Sequence, residues 1–115
     1  MCIRDSFYRE CFRCLGPDGI LVQQSESPLF HADLIEAMHR TMRQAGFGHT
    51  RSFFFPQCIY PSGWWSGTMA GKGPLTGFRE ADAAARPFAT AYYNVDIHQA
   101  AFACPESLRQ RLAAL

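Results

Sequence analysis

The sequence has no large excess of positive or negative charge and no long hydrophobic run. Its 11 basic and 10 acidic residues leave a formal net charge of +1, with no run of lysine or arginine. Because nucleic-acid binding needs a clustered cationic face to neutralise phosphates, we expect no nucleic-acid partner. No apolar run approaches the roughly 18 to 20 residues of a membrane span, and the N-terminus has no apolar signal-peptide core. We therefore expect a cytoplasmic protein without a membrane partner.

Paired cysteines are also lacking. The chain has five cysteines, an odd number, which argues against a secreted disulfide framework and favours a reducing cytosol. Cys11 and Cys14 form one Cys-x-x-Cys, but they lie within a helical pattern and no second pair follows. Since structural zinc normally takes four ligands, we interpret these cysteines as packed or half-exposed thiols and expect no metal site.

The composition is that of one folded domain. Hydrophobic residues make up 48% of the 115 residues and charged residues 18%, so the chain can bury a core. Residues 1–6 show no periodicity, and we interpret them as a non-native remnant, which places the domain at residues 7–115. Helical spacing begins at Phe7 and continues to Leu15, and the Gly-Pro-Asp-Gly segment that follows ends this helix.

The remaining patterns predict an α/β protein. The apolar run Ile20–Val22 is typical of a central strand buried on both faces, and Ser27 is predicted to cap the next helix, with Pro28 in its first turn. Two strands are predicted at Phe53–Tyr60 and Trp64–Gly71, joined by a Tyr-Pro-Ser-Gly turn. A surface loop over residues 72–90, which we call the surface excursion, and a final helix follow. This order is similar to the C-terminal portion of a Rossmann-like, methyltransferase-type doubly wound sheet with an antiparallel end.

Polar side chains follow the first predicted strand and close the second. Open α/β sheets place ligands at such strand ends. On an extended backbone Gln24 and Glu26 point to the same side, which suits a cleft, although for this segment alone ordinary strand-end solvation with helix capping is the favoured interpretation. Tyr60, next to Pro61, offers an apolar wall with one hydrogen-bonding tip. That arrangement suits a thin aliphatic amine, and a tyrosine that merely closes a hairpin is the alternative.

Motifs in four separate segments resemble the spermidine synthase family. They are a Phe-Tyr pair opening the first helix, a strand running into Gln-x-Glu with a later histidine, a Tyr-Pro-Ser-Gly turn, and a late Tyr-Tyr-Asn-x-Asp-Ile-His-x-Ala-Ala-Phe segment. Here they stand at Phe7-Tyr8, at Gln24, Glu26 and His31, at Tyr60 to Gly63, and at Tyr92 to Pro105. The resemblance covers nearly the whole chain from Phe7 onward.

The resemblance implies transfer of an aminopropyl group from decarboxylated S-adenosylmethionine to putrescine, giving spermidine. Because a sulfonium is already a good leaving group, such an enzyme chiefly aligns its two substrates and presents an unprotonated amine. The resemblance implies that Gln24 orients this amine and that Tyr60 lines the polyamine channel and hydrogen-bonds it. It also implies a homo-oligomer, with decarboxylated S-adenosylmethionine as co-substrate and no metal or redox cofactor.

The family's proton-accepting aspartate and its glycine-rich donor site are expected upstream of Phe7. Asp5 lies near that position, but its neighbours do not match the family's acidic loop, so we assign no catalytic residue to this chain. We expect a C-terminal fragment that carries the amine-binding side and is inactive alone. Two alternatives stay open: a non-catalytic Rossmann-like binding module, and a fragment of another S-adenosylmethionine-dependent transferase such as a methyltransferase.

Overall fold

The chain alternates helices and strands, as its patterns predict. A computed structural model describes residues 2–115. In chain order the elements are α1 (Cys2–Cys14), β1 (Ile20–Gln24), α2 (Ala32–Gln44), β2 (His49–Pro56), β3 (Trp64–Gly71), α3 (Glu80–Ala84), α4 (Val95–Ala100) and α5 (Glu106–Ala113). The α/β class is therefore confirmed, and the predicted surface excursion contains the short helix α3.

The three strands form one sheet in the order β1-β3-β2. β3 pairs antiparallel with both neighbours, so β1 and β2 run in the same direction and α2 connects them. The register aligns Gln24 of β1 with Gly67 of β3, and Gly67 with Phe53 of β2. The ends of β1 and β2 and the start of β3 consequently lie at one end of the sheet.

The helices α1, α2 and α5 pack on one face of this sheet, which we call the covered face. Two apolar clusters fill it. The first joins α1 and α2 to the sheet and consists of Tyr8, Met38, Met42, Phe47 and Ala70. The second joins α2 and α5 and consists of Ile35, Phe54 and Leu108. The opposite face, which we call the open face, carries alternate residues of the same strands, as the two-residue period of a strand requires.

The prediction that β1 is buried on both faces is wrong within the described chain. Ile20 and Val22 are 50% and 54% exposed on the open face, and only Leu21 packs against the first cluster. Among residues 2–115, β1 pairs with β3 alone and is therefore an edge strand. An apolar run does not by itself distinguish burial by this chain from burial by other parts of a fold.

Several element bounds also differ from the sequence-based expectation. α2 begins at Ala32 after His31, because the Ser27 hydroxyl caps a separate turn in which it accepts the N–H groups of Leu29 and Phe30, each at 3.2 Å. β2 starts earlier than predicted, at His49, and ends at Pro56. α1 already includes Cys2–Ser6. The interpretation of residues 1–6 as a remnant stays a prediction, and Met1 lies outside the described residues.

Candidate functional site

Gln24 ends β1 with its side chain exposed on the open face. Its register partner is Gly67, where an added Cβ would lie only 2.4 Å from the Phe53 ring. Gly67 therefore has no side chain beside Gln24, and the Phe53 ring occupies the space that a larger residue at position 67 would take. The amide of Gln24 makes no hydrogen bond within the described part of the chain, so it is available to a ligand.

The backbone leaves the extended conformation directly after Ser25. Glu26 has φ of 72°, in the left-handed region that non-glycine residues seldom adopt. The alternation that placed Gln24 and Glu26 on one side of an extended strand therefore does not continue to Glu26. Ser62, in the turn before β3, also has φ of 72°. Such strained residues concentrate at functional sites, and here both border the same end of the sheet.

A direct hydrogen bond joins the two strained turns. Ser27 Oγ lies 2.7 Å from Ser62 Oγ, and the Ser62 hydroxyl donates to the main-chain oxygen of Trp64 at 3.0 Å. Because the single hydroxyl hydrogen of Ser62 is thereby used, Ser27 donates to Ser62. The turn after β1 and the turn before β3 are thus held in a fixed relation, which brings the two sequence-predicted segments together.

Tyr60 lies in the loop between β2 and β3 and does not end a strand as predicted. The loop closes through hydrogen bonds from Gln57 N–H to the Gly63 oxygen at 2.9 Å and from Gly63 N–H to the Tyr60 oxygen at 3.1 Å. The Tyr60 ring is 43% exposed and packs on Trp65 with ring centroids 4.5 Å apart. The phenol therefore stands at the surface above a buried aromatic floor.

Trp65 forms this floor, a role that the sequence did not reveal. It is 5% exposed, and its ring lies 6.0 Å from His31 on one side and 4.5 Å from Tyr60 on another. Trp64 and Trp65 face opposite ways along β3, since Trp64 packs into the second cluster on the covered face. The Trp-Trp pair was the available signal, but only the sheet register tells which ring faces Tyr60.

The indole N–H of Trp65 is buried without a hydrogen-bond partner among the described residues. A buried donor without a partner costs about 1 to 3 kcal/mol, so native proteins rarely leave one. The unpartnered donor belongs to the ring on which Tyr60 packs, so this cost is carried beside the candidate site.

Glu26, next to the imidazole of His31, supplies the charged part of the site. The Ser27 N–H donates to Nδ1 of His31 at 3.2 Å, so the lone pair of that nitrogen is already engaged. The Glu26 carboxylate lies 3.8 Å from the same nitrogen, beyond hydrogen-bonding distance, and its side chain is 45% exposed. Glu26 therefore keeps a carboxylate that is free to attract a cationic ligand.

The late Asp-Ile-His segment has a structural role. Nδ1 of His98 lies 2.9 Å from the Tyr93 hydroxyl, and the imidazole stacks on Phe78 with ring centroids 3.7 Å apart. These contacts tie α4 to the surface excursion. Asp96 lies exposed in the first turn of α4 and makes no side-chain hydrogen bond to the described chain.

Residues 2–115 contain neither a cluster of metal ligands nor a membrane-spanning helix. No group of three or more His, Cys, Asp or Glu side chains in that part of the chain is arranged to hold a metal ion. None of the described helices has the length and apolar character to cross a membrane. Cys11, Cys14, Cys58 and Cys104 are free thiols.

The fold defines an α/β protein of the methyltransferase-like type, and the candidate site lies at the end of β1. The spermine/spermidine synthase domain model matches residues 3–80, which is more than half of the chain. The chain therefore belongs to the spermine/spermidine synthase family.

Curated relatives agree with this assignment. The chain is 65% identical over 111 residues to a polyamine aminopropyltransferase of Methylococcus capsulatus, covering 96% of this chain and 39% of that protein. It is 57% identical to a protein of the same name from Thioalkalivibrio sulfidiphilus, covering 93% of this chain and 38% of that one. The chain thus spans about two fifths of the length of these relatives.

Solved structures share the fold. Spermidine synthase from Thermotoga maritima superposes with a TM-score of 0.82 at 29% identity, covering 96% of this chain and 40% of that one. A spermidine synthase in complex with the transition-state analogue AdoDATO gives a TM-score of 0.83, also at 29% identity, covering 96% of this chain and 39% of the other. The predicted fold class is confirmed.

Proposed function

We propose that this chain supplies the amine-binding side of a polyamine aminopropyltransferase that converts putrescine to spermidine. The observation that carries the proposal is the arrangement at the end of the sheet. The exposed phenol of Tyr60, packed on the buried ring of Trp65, and the exposed amide of Gln24 border one open end of the sheet. The names of the relatives and the four sequence motifs support the same reaction.

In this proposal the residues act by alignment. Tyr60 and Trp65 form an aromatic wall against the methylene groups of the diamine, and the Glu26 carboxylate attracts its charged end. The Gln24 amide oxygen accepts a hydrogen from the attacking amine, which directs the nitrogen lone pair toward the electrophile. The phenol of Tyr60 provides a second hydrogen-bonding atom. Such positioning is the main contribution of a protein when the leaving group is already activated.

The co-substrate in this proposal is decarboxylated S-adenosylmethionine. The amine nitrogen attacks its aminopropyl carbon next to the sulfonium, the C–N bond forms as the C–S bond breaks, the neutral thioether leaves, and the new ammonium loses a proton. No metal or redox cofactor is required, since the displacement consumes only the amine lone pair. We assign no catalytic proton acceptor to this chain. The cytoplasmic location, the homo-oligomeric state and the absence of nucleic-acid and membrane partners remain predictions from the composition and the resemblance.

A chimaeric enzyme tests the proposal. The 111 residues of the Methylococcus capsulatus relative that match this chain would be replaced by this chain, and aminopropyl transfer to putrescine would be assayed. We expect the chimaera to be active. Tyr60→Phe and Gln24→Ala should each lower kcat/KM for the amine by roughly 1 to 3 kcal/mol of transition-state stabilisation, because each leaves a polar partner without its hydrogen bond.

Asp96→Asn in the same chimaera is the matched control, since Asp96 is exposed and lies outside the site. Its kinetics should equal those of the parent chimaera. Unchanged putrescine kinetics in both Tyr60→Phe and Gln24→Ala would refute the assigned roles. A fall in kcat/KM for the sulfonium donor alone would show that these residues act on the donor and not on the amine, which contradicts the assigned roles.

A further inference from the structure

A chain of buried polar groups crosses the covered face beneath α2. It begins at an imidazole that is 1% exposed and passes through four hydroxyl groups, each on a buried residue. It ends at a main-chain carbonyl of the candidate site. We call it the hydroxyl relay; its members, in order, are His39, Ser52, Thr68, Ser25, Ser66 and the carbonyl of Glu26.

The carbonyl end fixes the direction of the relay. The oxygen of Glu26 can only accept, so the Ser66 hydroxyl donates to it at 2.7 Å. Because a hydroxyl has one hydrogen, Ser25 must then donate to Ser66 across 2.7 Å. Thr68 in turn donates to Ser25 at 2.9 Å. Each hydroxyl in this part of the relay thus donates once and accepts once.

The same logic determines the state of the imidazole. With its hydrogen already given to Ser25, Thr68 must accept from Ser52 across 2.7 Å. Ser52 must therefore accept from Nε2 of His39, also at 2.7 Å, so Nε2 carries a proton. On the other side of the ring, Nδ1 lies 2.9 Å from the Thr50 hydroxyl. Arg43 Nε donates to that hydroxyl at 2.9 Å, which leaves the Thr50 hydrogen for Nδ1.

A neutral ring protonated on Nε2 satisfies every bond of the relay. A ring protonated on Nδ1 alone would leave one of two contacts, His39–Ser52 or Ser52–Thr68, without a hydrogen. Burial, aided by the positive charge of Arg43, lowers the pKa of His39 to about 4, which agrees with a neutral ring near pH 7. Aligned hydrogen bonds of this kind polarise and strengthen one another.

The relay ends on the strained residue of the site. Glu26 has φ of 72°, a conformation that persists only where its surroundings hold it. The Ser66 hydroxyl bond anchors its carbonyl, and the main chain of Ser25 is paired to the Ser66 oxygen at 2.9 Å. We propose that His39 is a positioning residue whose Nε2 proton completes the relay at the end opposite the Glu26 carbonyl and thereby holds the left-handed turn at Glu26.

The consequence for amine binding depends on the proposed function, whereas the turn itself does not. NMR of the isotope-labelled chain therefore tests the turn first. The nitrogen shifts of the His39 ring report which nitrogen is protonated, and the carbonyl carbon of Glu26 and the amide of Ser27 report the turn. We expect a neutral His39 protonated on Nε2. A ring protonated on Nδ1 at neutral pH would overturn the proposal.

Two substitutions of His39 separate positioning from packing. In His39→Gln the side-chain NH2 stands near the former Nε2 and can still donate to Ser52, whereas the shorter side chain of His39→Asn reaches only the Nδ1 position. We expect the Glu26 and Ser27 signals of His39→Gln to stay near those of the unsubstituted chain and those of His39→Asn to move. Equal displacement in both variants, or in neither, would contradict the relay.

Two further variants complete the test. Thr41→Ala is the matched control, because the Thr41 hydroxyl donates to the Ala37 oxygen within α2 and takes no part in the relay; its Glu26 signals should not move. Ser66→Ala removes only the last donor and should move the Glu26 carbonyl even if His39→Asn does not fold. An unmoved Glu26 carbonyl in Ser66→Ala would refute the proposal.

A titration with putrescine on the same samples connects the turn to the site. We expect His39→Gln to bind as the unsubstituted chain does and His39→Asn to bind about tenfold more weakly, the effect of about one lost hydrogen bond. If no sample binds putrescine while the ring state and the Glu26 signals behave as expected, the proposed function fails and the positioning role of His39 stands. If binding is equal in all variants, the turn does not shape the site and the inference is contradicted.

Discussion

The buried imidazole of His39 makes the stability of the fold depend on pH. Its pKa lies at about 4 in the folded chain, against an ordinary value of 6.5, chiefly because burial penalises the charged ring and secondly because Arg43 is nearby. In the unfolded chain His39 binds a proton as the pH falls below about 6.5, whereas the folded chain does not. The unfolded state is therefore favoured progressively between about pH 6.5 and about pH 4.

The magnitude follows from the size of this shift. One pKa unit corresponds to about 1.4 kcal/mol, so the difference between 6.5 and about 4 amounts to about 3 kcal/mol of unfolding free energy at full effect. Above about pH 6.5 this contribution is constant, and below about pH 4 no further loss arises from His39. Since small domains have total stabilities of about 5 to 15 kcal/mol, the effect is large enough to measure.

Urea denaturation followed by tryptophan fluorescence, at several pH values from about 7 to about 4, measures the effect. His39→Gln is the matched control because glutamine does not titrate. Carboxylates also titrate near the lower limit, including Glu106, whose pKa is lowered by its hydrogen bond to Arg109, but they affect both chains equally. The unsubstituted chain should lose about 3 kcal/mol more than the variant; parallel curves would refute a neutral, buried His39.

Two further substitutions test the packing around the site. Leu108→Ala should lower the unfolding free energy by about 2 to 5 kcal/mol, because Leu108 is fully buried against Ile35 and Phe54. Leu34→Ala, at an exposed leucine, is the control. A loss below about 1 kcal/mol for Leu108→Ala in urea denaturation would show that α5 is not packed against α2 and the sheet. Gly67→Ala should cost about 1 to 3 kcal/mol by overpacking, since its Cβ would meet the Phe53 ring. Gly16→Ala, where no atom lies within 4 Å of the added carbon, should be nearly neutral in the same assay, and equal losses in the two glycine variants would contradict this packing.

Local patterns were sufficient for the first five elements, the last helix, the family and the segments that form the site, whereas the short helices α3 and α4 were not predicted. The alternation of helical and strand periodicity predicted the α/β class, and the Gln-x-Glu and Tyr-Pro-Ser-Gly motifs pointed to the end of the sheet that the structure assembles. The burial of β1 on both faces was predicted wrongly, because an apolar run predicts that a strand is buried but does not show which part of a protein buries it. The start of α2 was missed because Ser27 caps a turn of its own.

The parts that the sequence did not predict depend on register across the sheet. Ser25, Ser52, Ser66 and Thr68 are unremarkable in sequence, and only the pairing of three strands aligns their hydroxyls with His39. The aromatic floor under Tyr60 depends on register in the same way, because the sequence alone does not show which tryptophan of the Trp-Trp pair packs against Tyr60. Contacts between residues far apart in the chain are set by topology, which local patterns do not encode.

The central claim is that the end of the sheet at Trp65 and Tyr60 binds the amine substrate, and a putrescine titration followed at the two indole N–H signals tests it most directly. Trp64, packed on the covered face, is the internal reference for Trp65. We predict that the Trp65 N–H and the Gln24 side-chain amide move to saturation while the Trp64 N–H does not. If Trp65 stays unmoved, or if both indoles drift together without saturating, the amine does not bind at this site.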